Sequence, residues 1–290
     1  ITGEGNVISG NLLYGISFTG VVGQAVQVYG NIIGLKPDGE TSAGNGTAGI
    51  YLVSNNNPTG VLQIGGASSG QGNIISGNPV TGIYMTNANM LTNPASVKGN
   101  KIGVTASGAA AGNGTNGIRF TGVSGVKGAV VGGIGAGEGN TIAYNNGNGI
   151  VLNGFSTNIT VRGNAMHDNT GLGFAYGASA IPTPNDLPSD LDGDTGGNGL
   201  QNFPQRTTLT RCDASTAQAT YLWSAANTTY TVDFYANPSG RDPTGYGEGE
   251  QYVSSATVTT NATGYASITP PAGITNMSMT ATDPNATTSE

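Results

Sequence analysis

The stretch GNIISGNPVTGIYM at residues 72–85 carries the pattern that decides the fold. It opens with Gly-Asn before two isoleucines, repeats Gly-Asn five residues later, and then places Gly-Ile before an apolar run. The related strings GNVI at 5–8 and GNTI at 139–142 begin 67 residues before and after it. A fixed long period is the sequence signature of a solenoid, in which each repeat packs mainly on its neighbours.

Further Gly-Asn and Gly-Ile pairs subdivide this period. Gly-Ile recurs at residues 15, 82 and 149, and Gly-Asn recurs at 30, 99 and 163, with a slippage that indicates loops of variable length. We expect about three strand-turn groups in each period, or roughly 22 residues per coil. Strands such as 74–75, 83–85 and 150–152 should stack on their equivalents about 4.8 Å away. The Asn after each Gly is then predicted to lie at a corner and to stack as a ladder along the axis.

The composition agrees with a protein made of short strands and tight turns. Charged residues make up only 9% of the 290-residue chain, and 50 residues are Gly, which supplies the positive φ that turns need. The net charge of −7 argues against a nucleic-acid partner, which requires a basic surface. No apolar run approaches the roughly 20 residues of a membrane span, so no membrane-spanning segment is expected.

The repeat resembles that of the pectate-lyase-like right-handed parallel β-helix superfamily, in particular large bacterial or archaeal surface proteins. The resemblance rests on GNIISGN at 72–78 followed by GIYM at 82–85. It implies a right-handed parallel β-helix, a solenoid, over residues 1–175. It is specific for the fold but not for activity, because this scaffold carries lyases, hydrolases, adhesins and phage tailspikes.

A second domain is expected after the repeats fade. Residues 1–174 hold six Lys or Arg against five acidic residues, whereas the rest holds three against eleven. An acidic, Pro- and Gly-rich linker is predicted over 176–205, and an immunoglobulin-like antiparallel β-sandwich over 206–290. Its predicted strands are 219–223, 230–235, 252–260, 265–269 and 277–282. The stretch from residue 200 to residue 285 also resembles a module often found after β-helices in secreted proteins.

One acidic cluster in the linker suggests a metal. Asp190, Asp192 and Asp194 alternate at the spacing that lets oxygen ligands converge on calcium, and Asn198 stands at the ninth position. The pattern departs from the helix-loop-helix calcium loop, because the sixth-position Gly and the closing Glu are missing. A structural calcium and a solvated acidic turn therefore both stay open.

No catalytic residue is predicted. Glu4 and Glu138 occupy equivalent repeat positions, and at six coils apart they are too distant to act as a pair of acids. The acids of the turn at 37–40 are expected to be solvated, and His167 and Asp168 should point to opposite faces of a strand. Lyases of the resembled superfamily pair a calcium-binding Asp cluster with an Arg or Lys base, and the repeats hold too few acids for that cluster.

Seven Asn-X-Ser/Thr sequons make glycan attachment a further possibility to test. The pair at 45 and 113 recurs in the string GNGT 68 residues apart, which predicts equivalent loops. The lone Cys212 excludes an internal disulfide and is expected to be a small buried hydrophobe. The candidate glycosylation residues are Asn45, Asn113, Asn158, Asn227, Asn261, Asn276 and Asn285.

These observations favour a non-enzymatic structural or adhesive protein, located outside the cell or at its surface. Its expected partners are other copies in a head-to-tail filament, the cell surface, or glycans. The alternative is a polysaccharide-binding or polysaccharide-cleaving β-helix, a lyase or hydrolase. Because the sequence opens within a repeat, we expect a processed or excised form of a longer chain.

Overall fold

The computed structural model describes residues 5–19, 25–53, 60–179, 181–186, 194–210, 216–240, 244–274 and 276–290. Within them the chain is almost entirely β-structure, as predicted. Strands β1 to β16 pair only in parallel, and we call residues 5–179 the parallel region. Strands β17 to β22 pair only in antiparallel fashion, and we call residues 205–290 the antiparallel region.

The parallel region consists of two sheets. The first has six strands of two or three residues, in the order β1, β4, β7, β10, β12 and β15. The second has ten strands, and its long strands β8 and β11 join two arms into a curled half-barrel. The strands are β1 Val7–Ile8, β2 Tyr14–Thr19, β3 Val26–Val28, β4 Ile32–Ile33, β5 Ala48–Val53, β6 Leu62–Ile64, β7 Ile74–Ile75, β8 Thr81–Asn89, β9 Ala95–Val97, β10 Lys101–Ile102, β11 Ile118–Gly132, β12 Thr141–Ala143, β13 Ile150–Leu152, β14 Thr157–Arg162, β15 Ala165–His167 and β16 Phe174–Tyr176.

Equivalent strands stack in the predicted register. Ile83 of β8 lies between Ile50 of β5 and Ile118 of β11, and Ile118 in turn pairs with Ile150 of β13. All four side chains are fully buried in one continuous apolar core. Since burying such a side chain contributes about 1.5–3 kcal/mol, stacking of inward isoleucines and leucines is the main source of stability of this region.

The number of coils per period is two, and the expectation of three was wrong. Hydrogen bonds join the side chains of asparagines 6, 31, 73, 100, 140 and 164 in this order, and we call each coil of the chain, from one of these residues to the next, a rung. The rungs are 25, 42, 27, 40 and 24 residues long, so short and long rungs alternate. Gly5 and Gly139 are therefore four rungs apart, about 19 Å, rather than six. Glu4 itself lies outside the described residues, so its inability to act together with Glu138 stays a prediction.

The long rungs carry inserted loops at residues 35–44 and 104–112. Each loop is closed by an antiparallel bridge, Leu35 with Ser42 in the first and Val104 with Ala110 in the second. The two loops contact each other across the intervening short rung through Ala106 N and Gly39 O. Close packing explains the Gly before the second loop, since a Cβ on Gly103, which has a φ of +85°, would lie 1.9 Å from a backbone oxygen.

The antiparallel region is built from two three-stranded sheets, ordered β17-β18-β21 and β20-β19-β22. Buried side chains of both sheets, among them Leu222 of β18 and Val232 of β19, form one apolar cluster between them. The five strands predicted here are confirmed, and β17 was missed. The strands are β17 Gln205–Thr210, β18 Thr216–Trp223, β19 Thr229–Ala236, β20 Gln251–Thr259, β21 Tyr265–Ile268 and β22 Ser278–Thr282.

The segment between the two regions contains a short 3-10 turn at Gly197–Leu200. Residues 187–193 and Cys212 lie outside the described part of the chain, so the prediction for the Cys212 thiol stays a prediction. Among the described residues there is no helix with the length and apolar character needed to cross a membrane.

Candidate functional site

Two asparagine ladders run the length of the parallel region, which confirms the structural interpretation of the Gly-Asn pairs. In both, the backbone N–H and Nδ2 of one asparagine donate to Oδ1 of the next, at 3.0 and 2.9 Å from Asn73 to Asn100. Inner members are nearly or fully buried. The first ladder comprises Asn6, Asn31, Asn73, Asn100, Asn140 and Asn164. The second comprises Asn11, Asn45, Asn78, Asn113, Asn145 and Asn169.

The hydrogen bonds of each ladder all have the same polarity, because every donor points toward the later rung. The last member of the second ladder, Asn169, is consequently left with two donors and no following asparagine. Glu248 of the antiparallel region accepts both, at 2.8 Å from the backbone N–H and 2.5 Å from Nδ2. A buried carboxylate at the donor end of a polar ladder is electrostatically favourable. Glu248 is therefore the cap of the second ladder.

A buried ion pair holds the same two regions together. The guanidinium of Arg162, at the end of β14, donates to both carboxylate oxygens of Asp233 at 2.7 and 2.6 Å. The Asp233 side chain is fully buried and also accepts a hydrogen bond from Ser255. This contact raises the pKa of Arg162. Beside it, the buried Tyr235 hydroxyl, whose pKa is raised by burial, accepts a hydrogen bond from Gly163 N–H at 3.0 Å.

The open edge of β14 is closed by two residues from outside the repeats. Asn198 accepts a hydrogen bond from Ile159 N–H at 3.0 Å and donates to Ile159 O and Thr288 O. Thr288 Oγ1 accepts from Val161 N–H at 3.0 Å. Together with Glu248, Arg162 and Asp233, these residues form a set that we call the junction. The antiparallel region thus covers the last rung of the parallel region.

This geometry corrects the expected calcium ligands. Asn198 is buried and its amide completes the edge of β14, so it is not available as the ninth-position ligand. Asp194 is half-buried, and Asp190 and Asp192 lie outside the described residues. No three His, Cys, Asp or Glu side chains come together in the part of the chain that the structure describes. A calcium bound by the three aspartates stays a prediction.

The sequons fall into two structural groups. Asn45 and Asn113 occupy equivalent positions of the second ladder, two rungs apart, and their side chains are fully buried. Their Nδ2 atoms, to which a glycan would be joined, already donate hydrogen bonds within the ladder. The remaining sequon asparagines are half-buried at 158 and exposed at Asn227, Asn261, Asn276 and Asn285.

The acidic and histidine candidates are engaged locally. Glu138 pairs with Lys98 at 2.7 Å, which lowers the pKa of its carboxyl. His167 and Asp168 do not point to opposite faces: β15 ends at His167, Asp168 has a φ of +55°, and their side chains meet at 2.8 Å. The turn at 37–40 is exposed at Asp38 and Glu40, as predicted.

The junction residues Glu248, Asp233, Arg162 and Thr288 were missed by sequence reasoning. Each is a single residue outside any motif, and Arg162 and Asp233 are 71 residues apart in the chain. Comparison of the chain with models of protein families found no match, and comparison with curated proteins found none either. The functional argument therefore rests on geometry.

Proposed function

We propose that the protein is a non-enzymatic structural or adhesive module of an extracellular surface protein. In this proposal the parallel region is a closed right-handed β-helix of the pectate-lyase-like type, and the antiparallel region is an immunoglobulin-like module fixed to its end. The observation that carries the proposal is the pair of asparagine ladders through six rungs, one of them ended by Glu248. Such an arrangement suits a rod that has to keep its shape.

Rigidity follows from how the polar groups are used. Buried amides cost free energy unless they are hydrogen-bonded, and inner ladder members such as Asn73 satisfy both their acceptor and their donors. A rung cannot shift without breaking several of these bonds at once. The junction adds a buried bidentate ion pair, so the orientation of the second region is fixed by directional contacts.

The extracellular location is supported by composition and by the exposed sequons. A chain with 9% charged residues and abundant Gly and Asn is typical of secreted repeat proteins of the kind that the sequence resembles. Four sequon asparagines lie in exposed positions of the antiparallel region, where glycan attachment would not disturb a ladder.

The junction restricts how copies can form a head-to-tail filament. The face of the antiparallel region that contacts the last rung is already occupied by Glu248, Asp233 and Thr288. A filament would therefore have to use a part of that region that lies away from the junction.

The proposal is tested on cells that express the protein. Antibodies raised against the purified chain should label intact cells as strongly as permeabilised cells. Labelling that appears only after permeabilisation would contradict the surface location. In parallel, incubation of the purified protein with acidic and neutral polysaccharides should release no new reducing ends or unsaturated products. Reproducible turnover would overturn the non-enzymatic role and favour the lyase or hydrolase alternative.

A further inference from the structure

A row of aromatic side chains follows the outer surface of the larger sheet and ends on an arginine. Tyr51, Tyr84 and Arg119 occupy aligned positions of β5, β8 and β11. Tyr14 stacks on Tyr51 with ring centroids 4.2 Å apart, and Tyr51 packs against Tyr84 at 5.3 Å. The Arg119 guanidinium lies over the Tyr84 ring, 5.4 Å from its centroid. This cation–π contact fixes one face of the guanidinium.

Beyond Arg119 the surface forms a recess of about 290 Å³. Its floor is Val151, the residue aligned with Arg119 on the next rung. The polar side chains that line it are Asn116, Asn148, Asn153 and Thr170. Its volume is at the lower end of the range of small-molecule sites, and it suits a single small organic group.

The recess offers hydrogen-bond donors and positive charge but no carboxylate. Arg119 is the only ionisable side chain among the described residues that line it. The Asn116 amide oxygen already accepts Asn148 N–H, and the Asn148 amide oxygen accepts Leu172 N–H. The Asn148 Nδ2 already donates to Gly177 O at 3.4 Å, so the amide N–H groups left for a ligand are those of Asn116 and the second one of Asn148.

The hydrogen-bond partners of Arg119 differ from those of two other cations of the parallel region, Arg162 and Lys98. Arg162 donates to Asp233, and Lys98 pairs with Glu138. The Nε of Arg119 is buried and has no hydrogen-bond partner among the described residues. A buried donor on a charged group is costly to leave unpaired, and a guanidinium edge matches the two oxygens of a carboxylate.

We propose that the Arg119 recess is a binding site for a carboxylate group, carried either by a sugar acid or by the end of a peptide. The Arg119 guanidinium would form the charge-assisted pair, and Asn116 would donate to the same ligand. The site is independent of the structural role proposed above, since it uses outward-facing side chains that take no part in the ladders or the junction.

The test is a titration of the whole chain with paired probes, followed by nuclear magnetic resonance of backbone amides. Glucuronate is compared with glucose, and acetylglycine is compared with acetylglycine amide, so that each carboxylate has a neutral analogue. At least one carboxylate should shift amides at 116, 119 and 148 in a saturable manner, while its neutral analogue should not. Which acid binds better identifies the source of the carboxylate.

Variants assign the effect to the guanidinium. R119M removes the charge and keeps a long side chain over Tyr84, and it should weaken carboxylate binding at least about tenfold. R119K should weaken it less, because the charge stays and the planar fork is lost. K127M is the matched control, since it removes a cation from the same strand, β11, outside the recess, and it should bind as the unchanged protein does.

A further variant in the recess separates weaker binding from a loss of folding. N153D places a negative charge in the recess with almost no change of shape, and it should weaken carboxylate binding without lowering the thermal midpoint. Three results would overturn the proposal: equal binding of an acid and its neutral analogue, equal effects of K127M and R119M, or no binding of either acid at about 50 mM. A dissociation constant above about 50 mM would be weaker than the millimolar values of weak complexes.

Discussion

Asparagine can build a continuous ladder because its side chain carries both an acceptor and two donors close to the backbone. In each ladder the oxygen accepts from two donors of the preceding residue, and the second amide proton of an inner member reaches a backbone carbonyl, such as Val28 O from Asn73. Serine would lack the second donor, and aspartate would place like charges on adjacent rungs. The residue type is thus dictated by the spacing of the rungs.

The first prediction concerns a central ladder residue. N113A removes the acceptor for two donors of Asn78 and the donors to Asn145 and Ile75 O, all in a fully buried position. We expect a loss of about 3 kcal/mol in the free energy of unfolding, measured by denaturant titration. N146A, at an exposed asparagine on the adjacent turn, is the control and should cost under about 0.5 kcal/mol. Equal losses would contradict the buried ladder.

The second prediction concerns pH at the first inserted loop. Backbone N–H groups of Thr41 and Glu40 donate to Asp38, and they lower its pKa from 3.8 to about 2. Because the folded-state pKa is depressed, the stabilisation of this turn is present above pH 3.8 and is lost as the pH falls through about 2. The amide resonances of residues 40 and 41 should titrate with a midpoint near 2. A midpoint near 3.8 would show that the turn does not bind the carboxylate.

Sequence reasoning at the residue scale succeeded where a pattern was repeated and failed where a partner was unique. The ladder role of asparagine followed from the recurrence of Gly-Asn at a fixed period. The burial of Asn45 and Asn113 was missed, because the string GNGT is typical of both a turn and a ladder corner. Glu248 could not be predicted, since its partner Asn169 is 79 residues away and no motif surrounds either of them.

At the scale of elements, the last strands of the two parallel sheets have an edge with no further parallel strand beside it. Parallel strands leave unpaired N–H and C=O groups on the last rung, which would otherwise invite strand addition. Here Asn198 and Thr288 pair with β14, and Gly249 O accepts from Met166 N–H of β15. Strand β20, which begins two residues after Gly249, is therefore positioned by the end of the parallel region as well as by its own sheet.

The third prediction tests the ladder cap. E248Q keeps one carbonyl oxygen but turns an NH2 group toward a donor of Asn169, so one hydrogen bond is lost. We expect a destabilisation of about 1–3 kcal/mol and faster hydrogen exchange at the Asn169 amide. E250Q is the matched control, because Glu250 binds Ser239 instead and should leave that amide unchanged. Unchanged exchange at Asn169 in E248Q would exclude the capping role.

The fourth prediction tests the ion pair between the regions. D233N leaves the Arg162 guanidinium at a partly buried site without its counter-charge, and we expect a loss of about 3–5 kcal/mol. The double variant R162M/D233N should lose less than the sum of the two single variants R162M and D233N, because each single variant leaves one charge unpaired and the double variant leaves none. Both are measured as unfolding free energies at neutral pH. Strict additivity would show that the two side chains do not interact.

Strand positions were predictable from the sequence, but the number of coils was not. Stacking of the segments at 74–75, 83–85 and 150–152 followed from their apolar character and their spacing. The coil number was wrong because Gly-Ile was counted as a separate group, whereas Gly15, Gly82 and Gly149 lie at strands β2, β8 and β13 of the rung that the preceding Gly-Asn pair opens. The loops at 35–44 and 104–112 add a second difficulty, since they lengthen only alternate rungs.

At the scale of the whole molecule, the repeating unit is a pair of rungs, one short and one long. The two inserted loops lie two rungs apart and are joined by Ser107 N–H to Glu40. The turns near residues 67 and 137 also contact each other at that spacing, as the close approach of Gly137 to Ala67 shows. Loops of adjacent long rungs therefore support each other across the short rung between them. A deletion that preserves the stacking must therefore remove a whole pair of rungs, such as the 67 residues from Gly72 to Glu138.

The last prediction removes one such unit. Deletion of residues 72–138 joins Gln71 to Gly139, which recreates the Glu-Gly or Gln-Gly step found at each unit boundary, and it places Asn31 beside Asn140 in the first ladder. We expect a folded protein with a cooperative thermal transition, shortened by about 10 Å along the stacking direction in small-angle scattering. It also removes Lys98 and Glu138 together, so no charge of that pair is left unpaired. The control deletes residues 72–93, one coil of the length that the sequence alone suggested, and it should fail to fold because β6 would be joined to the middle of a rung. If the control folded as well as the 67-residue deletion, the two-rung unit would be wrong.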